Sequence, residues 1–185
     1  MTGPVEREIK LRFDTAEAAR RAVVEAGARP LRARRLQSDC LLDREREPLA
    51  DRACTLRVRI DGGAARVTFK GAPKLGTTKV REELETAVGD GEMLLQVLER
   101  IGFRVWFRYE KYREELRRGD LVIAIDEAPI GTFVELEGSE PDILAMAAAL
   151  GRKPDDFILD SYLALFRAHC AATGASASDM VFDAQ

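Results

Sequence analysis

The side chains of this sequence that could do chemistry are charged, and they stand at alternate positions. Glu6, Glu8 and Lys10 do so in the run 5–13, Arg57 and Arg59 in 55–60, Lys70 at the end of 65–70, and Arg81, Glu83 and Glu85 in 79–85. Lys111 and Arg113 follow in 104–116, Asp126 closes 121–126, and Glu135 and Glu137 lie in 133–137. Carboxylates are hard oxygen ligands suited to Mg2+ or Mn2+, whereas Arg and Lys suit phosphate oxygens. A surface carrying both fits a cargo that is at once cationic and polyanionic, namely a divalent metal bridging phosphates. A site for a bare anion would gain nothing from the acids, which repel it unless metal is present.

The same alternation names the elements. Val5, Ile9, Leu11 and Phe13 oppose the first charges, Leu56, Val58 and Ile60 the next, then Val67 and Phe69, then Val80 and Leu84. A period of two with one apolar face is a half-buried strand. Asp61-Gly62-Gly63, Gly119-Asp120 and the stretch 129–131 are turn signals, and 36–46 reads as a further strand with Gln37, Asp39 and Asp43 on one parity. Helical spacing appears at 14–27, with Asp14 as N-cap and Glu17 completing a capping box, and at 90–102, which should pack across the sheet. Two more helices are expected at 142–150 and 156–171. Residues 71–78 have the glycine spacing of a phosphate loop but no lysine after the second glycine, so they read as a mobile hairpin loop.

Roughly eight strands with one apolar face each, and about four helices to cover them, predict an α+β fold built on a closed antiparallel eight-stranded β-barrel flanked by helices. Apolar faces then point outward beneath the helices and charges point inward. Burying so many ions dry would cost several kcal/mol each, so the interior is expected to be a wet tunnel.

With 46% apolar and 33% charged residues, a chain of 185 residues supports one substantial core. It reads as a domain over 1–171 with a tail, 172–185, expected to fray. There is no apolar run of membrane-spanning length and no signal-peptide pattern at the start, which predicts a cytoplasmic protein without a membrane partner. Cys40, Cys54 and Cys170 form no CxxC and read as reduced structural thiols. The 29 basic and 32 acidic residues give a formal charge of −3, which disfavours nucleic acid. The basic cluster Arg29, Arg32, Arg34 and Arg35 has no aromatic residues for base stacking and reads as a solvated strand entrance. A homodimer is compatible with the sequence.

Taken in order, these motifs resemble the CYTH proteins, or triphosphate tunnel metalloenzymes, whose founding members are class IV adenylate cyclase and thiamine triphosphatase. The likeness covers roughly residues 4–168: an ExExK of Glu6, Glu8 and Lys10, paired strand arginines Arg57 and Arg59, Lys70, Arg81 with Glu83 and Glu85, a KxR of Lys111 and Arg113, Asp126, and an ExE of Glu135 and Glu137. The resemblance implies a topologically closed barrel holding a triphosphate with Mg2+ or Mn2+. Glu6, Glu8, Asp126, Glu135 and Glu137 would hold metal. Lys10, Arg57, Arg59, Lys70, Arg81, Lys111 and Arg113 would clamp phosphate, with Lys10 and Lys70 as the catalytic cations and Glu83 and Glu85 in support. One departure is Leu41, where cyclase-like members tend to carry an aromatic residue. His169, the only histidine, falls in the last helix and is not expected to act as a base.

The activity the resemblance implies is conversion of ATP to cyclic AMP and pyrophosphate. The runner-up is hydrolysis of tripolyphosphate or thiamine triphosphate. A non-catalytic polyphosphate or nucleotide binding module, and an RNA contact through 29–35, are the competing readings.

Overall fold

The computed structural model describes residues 4–175 and 178–183. Its strands are β1 Val5–Phe13, β2 Arg29–Asp43, β3 Thr55–Asp61, β4 Ala64–Lys70, the two-residue β5 Lys74–Leu75, β6 Lys79–Val88, β7 Arg104–Arg118, β8 Leu121–Ala128 and β9 Gly131–Glu137. The helices are α1 Ala16–Glu25, α2 Gly91–Arg100, α3 Glu140–Ala149 and α4 Tyr162–Thr173. Neighbours run β1-β9-β8-β7-β2-β3-β4-β6, and β6 pairs back onto β1, so eight antiparallel strands close into a barrel with β5 as a ninth strand on β6. Closure is short, from Val5↔Glu82 to Glu8↔Lys79. Beyond it Ile158 takes over the free side of β1, exchanging two 2.9 Å backbone hydrogen bonds with Lys10.

That pairing explains a difference from the expected last helix. Residues 154–156 form a 3-10 turn and 157–161 run extended past β1. The helix restarts only where Ser161 caps it by accepting from Ala164 N. α1 likewise begins one residue later than expected. Thr15, extended at φ −142°, is its N-cap in place of Asp14, with Oγ1 accepting from Ala18 N. β2 starts at Arg29, well before residue 36, because it pairs with β7 from Arg29↔Arg117 onward. The 71–78 loop contains β5.

Two apolar clusters hold the barrel. On the outside, α1 and α3 set Ala19, Val23, Ile143 and Met146 against Ile9, Leu11, Ile123, Ile125, Val134 and Leu136. Truncating one such side chain to Ala should cost about 2–5 kcal/mol. The second cluster is inside. Leu41, Phe107, Tyr109 and Phe133 share the parity of the inward charges, and α4 brings Tyr162 and Phe166 to them, joined by Met180. α4 therefore plugs one end of the bore instead of covering the outer surface. Part of the tail expected to fray is docked: Met180 is 1% exposed, donates to Arg108 O and accepts from Glu110 N. α2 covers its strands only partly, leaving Met93 and Val97 exposed. Its first residue, Gly91, sits so close to β4 that a Cβ would come within 2.8 Å of Ala65 Cβ. Among the described residues no helix is long and apolar enough to cross a membrane.

Candidate active site in the barrel bore

Because side chains alternate across each strand, the polar parities of β1, β2, β3, β4, β6, β7 and β9 meet in one cavity of about 330 Å3. Eleven Lys and Arg and eight Asp and Glu side chains line it, a formal excess of three positive charges in a chain whose overall charge is −3. The structure brings Glu6, Glu8, Lys10, Arg57, Arg59, Lys70, Arg81, Glu83, Glu85, Lys111, Arg113, Glu135 and Glu137 to this cavity.

The charges form a continuous network. Glu6 accepts from Lys70 Nζ at 2.9 Å and from Arg81 Nε at 2.8 Å. Burial pushes its carboxyl up, but Lys70 and Arg81, with a hydrogen bond from Glu83, hold it well below the usual range. Glu8 accepts from Lys79 at 2.7 Å and Lys10 at 3.3 Å, and against its burial these hold it down to about 2. Lys10 also faces Glu135 at 3.4 Å, and the two carboxylates raise its pKa despite its burial. Arg59 Nε donates to Asp39 at 2.9 Å. Arg57 Nε lies 3.4 Å from the same carboxylate yet makes no hydrogen bond, and Gln37 Oε1 is likewise buried without a partner.

Asp126 departs from its expected place. It is fully buried, is not among the residues that line the cavity, and stands beside Arg113 as its cross-strand partner. Lys111 Nζ donates to it at 2.8 Å, Arg113 Nε at 2.6 Å and the Tyr162 hydroxyl at 2.7 Å, while Arg113 also bonds Glu135. Both of its oxygens accept hydrogen bonds, so the carboxylate is held against the two cations of the KxR pair and the tyrosine hydroxyl. Burial and the adjacent Arg113 outweigh Asp126 at Lys111, whose pKa is brought down to about 8.

The comparisons with known proteins agree with this fold. The CYTH domain model matches residues 5–153. The chain belongs to the CYTH domain family. Its relatives include a Methanocaldococcus jannaschii protein named "Putative adenylate cyclase", 29% identical over 173 residues that make up 87% of this chain and 98% of that one. A Vibrio parahaemolyticus structure described in the same words superposes with a TM-score of 0.78 at 20% identity, covering 89% of this CYTH domain chain and 99% of the other. A Hippeastrum protein, whose description reads "Putative adenylyl cyclase" with "a dominant" triphosphatase activity, has a TM-score of 0.66 at 19% identity, covering 89% and 95%.

Several bore residues of this CYTH domain escaped the sequence reading. Lys79 shares the parity of Arg81, Glu83 and Glu85, a signal sufficient to find it. Parity alone places Gln37 and Asp39; Gln37 lines the cavity, and Asp39 is buried beside it, accepting from Arg59. Arg35 lies within the basic cluster expected to be solvated, yet it turns into the bore mouth, where it bonds Asp61 at 2.8 Å and Glu115 at 2.9 Å. Arg34 faces outward, bonding Glu127 and covering the Tyr112 ring. Tyr162 reads as core in a helical pattern, and nothing local marks its hydroxyl.

Among the described residues of the CYTH domain, no three His, Cys, Asp or Glu side chains are gathered as a ready cage for a metal ion. The donor chemistry nonetheless fits one. Glu137 lies opposite Glu8 across β1 and β9 and, among the described residues, has no hydrogen bond or ion pair. Although its surface is open to the bore, desolvation by the walls and then Glu6, Glu135 and Glu83 push it up to about 7. Four carboxylates crowded on one side of the bore are what a hard divalent cation would relieve.

Proposed function

We propose that this CYTH domain is a divalent-metal-dependent enzyme acting on a triphosphate held in the bore, with cyclisation of ATP to cyclic AMP and pyrophosphate as its reaction. The observation that carries the reading is the convergence of Lys10, Arg57, Arg59, Lys70, Arg81, Lys111 and Arg113 on one cavity that also holds Glu137, which makes no ion pair among the described residues. The orphaned Arg57 Nε is a donor awaiting an acceptor. The cations would bind the non-bridging oxygens, Lys10 and Lys70 among them, and hold the chain of phosphates in line. Glu6, Glu8, Glu135 and Glu137 would hold Mg2+ or Mn2+, which when bound would neutralise charge on the phosphoryl oxygens. In cyclisation the ribose 3′-oxygen bonds to the α-phosphorus, the bond from that phosphorus to the bridging oxygen breaks, pyrophosphate leaves and the hydroxyl proton passes to solvent. Catalysis rests on positioning and charge neutralisation.

The test is to incubate the purified protein with ATP, tripolyphosphate or thiamine triphosphate, in Mg2+, Mn2+ or EDTA, and to resolve the products by chromatography. Cyclic AMP with pyrophosphate, only in metal, is expected. Orthophosphate without cyclic AMP would replace cyclisation by hydrolysis. Full turnover in verified absence of metal would refute metal dependence, and calorimetric binding of tripolyphosphate without turnover in any metal would leave a binding module.

A further inference from the structure

β7 has a stretch with one open side. β8 accompanies it only from Tyr112↔Glu127 to Arg118↔Leu121, so among the described strands residues 104–111 have β2 alone as a neighbour. That ladder is itself broken: Leu41 pairs with Phe107 and Leu42 with Val105, which leaves Trp106 as the extra residue of a β-bulge. An open edge leaves backbone N–H and C=O groups without partners and lets the strand bend. Yet this stretch carries Tyr109 and Lys111 to the bore cavity.

Residues 179–182, beyond α4, close that edge. The Asp179 carboxylate accepts from Arg108 N at 2.7 Å, Met180 N donates to Arg108 O at 2.9 Å, Glu110 N donates to Met180 O at 2.8 Å, and Phe182 N donates to the Glu110 carboxylate at 3.3 Å. Met180 thereby pairs in parallel with Tyr109, and β7 is gripped on both sides of that tyrosine. The Met180 side chain belongs to the buried cluster of Tyr109, Ala128, Ile130 and Tyr162, where the β8–β9 turn has parted from β7. Phe182 packs on Tyr112, with ring centroids 5.2 Å apart.

Tyr109 connects this segment to the cations of the bore. Its ring stacks on Tyr162 at 6.0 Å, its phenol lies beside Arg57, and Lys111 is the next inward residue of β7. The Tyr162 ring lies 4.5 Å from Lys111 Nζ and 5.5 Å from Lys10 Nζ, within reach of a cation–π contact to each. Three of the cations that converge on the cavity therefore rest on two tyrosines. Those tyrosines are set by packing at the end of the barrel that Met180 completes.

We propose that Met180 is a positioning residue of the phosphate clamp: with residues 179–182 on the β7 edge it sets Tyr109 and, through it, Tyr162, Arg57 and Lys111, so that docking of the segment and filling of the bore favour each other. The inference rests on the triphosphate reading of the bore and adds a determinant outside the cavity, which none of residues 179–182 lines. Linkage makes the coupling reciprocal, since the factor that undocking costs in affinity is the factor by which ligand favours docking. Met180→Asp puts a charge in a site 1% exposed and should free the segment, seen as fast hydrogen exchange at 179–183. By calorimetry it should weaken tripolyphosphate about ten-fold, a usual size for such a coupling. Met180→Leu, apolar and of similar volume, should stay within about two-fold of wild type. In the wild-type protein, saturating tripolyphosphate should slow exchange at 179–183 by up to the same ten-fold, and more than it slows exchange in α1. A merely structural Met180 would lower the melting temperature of Met180→Asp and leave its affinity within about two-fold of wild type, which would overturn the proposal. Should Met180→Asp not fold, wild-type exchange decides alone: slowing at 179–183 no greater than in α1 would equally overturn it, with the bore reading intact. If the wild-type protein bound no tripolyphosphate, the bore reading would fall and this one with it.

Discussion

Replacing Asp126 by Asn tests whether that carboxylate balances two buried cations or waits for a metal. In the wild type it accepts from Lys111, Arg113 and Tyr162 with no exposure to solvent. The amide keeps the volume but removes the charge and turns an NH2 group toward donors. Breaking a buried ion pair from one side costs about 3–5 kcal/mol, because the stranded charge stays desolvated. Here one cation can escape: Lys111, already down at about 8, will shed its proton once Asp126 is neutral. Arg113 cannot, and keeps only Glu135. The loss should therefore sit near the lower end, about 3 kcal/mol, from a domain stability of order 5–15 kcal/mol. At about 2–4 °C per kcal/mol for this chain length, the melting temperature should fall by roughly 6–12 °C. Since the Asp126 pKa is lowered by Arg113 and Lys111 against its burial, its contribution is fully present above the unfolded value and is lost only as pH falls through the lower folded value. The gap between wild type and variant should thus hold from neutral pH down to about 4 and close below it. The assay is urea unfolding followed by circular dichroism in EDTA. A loss under about 1 kcal/mol in EDTA, together with lost Mg2+ affinity, would refute the balancing role and restore Asp126 as a ligand.

Three further outcomes follow from the same network. Glu137→Gln should abolish metal-dependent turnover while raising the stability of the metal-free protein at pH 7 and above, because a folded pKa pushed up to about 7 means that the ionised carboxylate is disfavoured there; denaturation with EDTA and with Mg2+ checks both halves. Affinity for tripolyphosphate should decline as pH rises through about 8, where free Lys111 loses its charge, and binding near that pH should take up protons, measurable by calorimetry in buffers of different ionisation enthalpy. Arg113→Ala should weaken tripolyphosphate by about 1.5–3 kcal/mol per lost charged hydrogen bond. Arg34→Ala, on the outer surface against Glu127 and Tyr112, should leave it unchanged, and equal losses would mean unspecific electrostatics.

What the sequence by itself determined is the face each strand residue takes. A period of two is local, so Glu6, Glu8, Lys10, Arg57, Arg59, Lys70, Arg81, Lys111, Arg113, Glu135 and Glu137 could be placed on inward parities, and the shortage of covering helices then required a closed barrel. Lys79 was within reach of the same argument. Parity does not say at what height along the bore a side chain stands, or which strand lies beside it. Parity puts Asp126 on the inward face and the register sets it beside Arg113, but only the pairing of Ile158 with Lys10 delays α4 until Tyr162 stands in the bore and its hydroxyl reaches that carboxylate. The Trp106 bulge is likewise invisible locally, because a bulge is a mismatch between two strands and exists only once both are paired. Burial decides the rest. An aspartate or a tyrosine hydroxyl is the same residue in any strand or helix, and its role follows from which donors and acceptors the tertiary structure desolvates beside it.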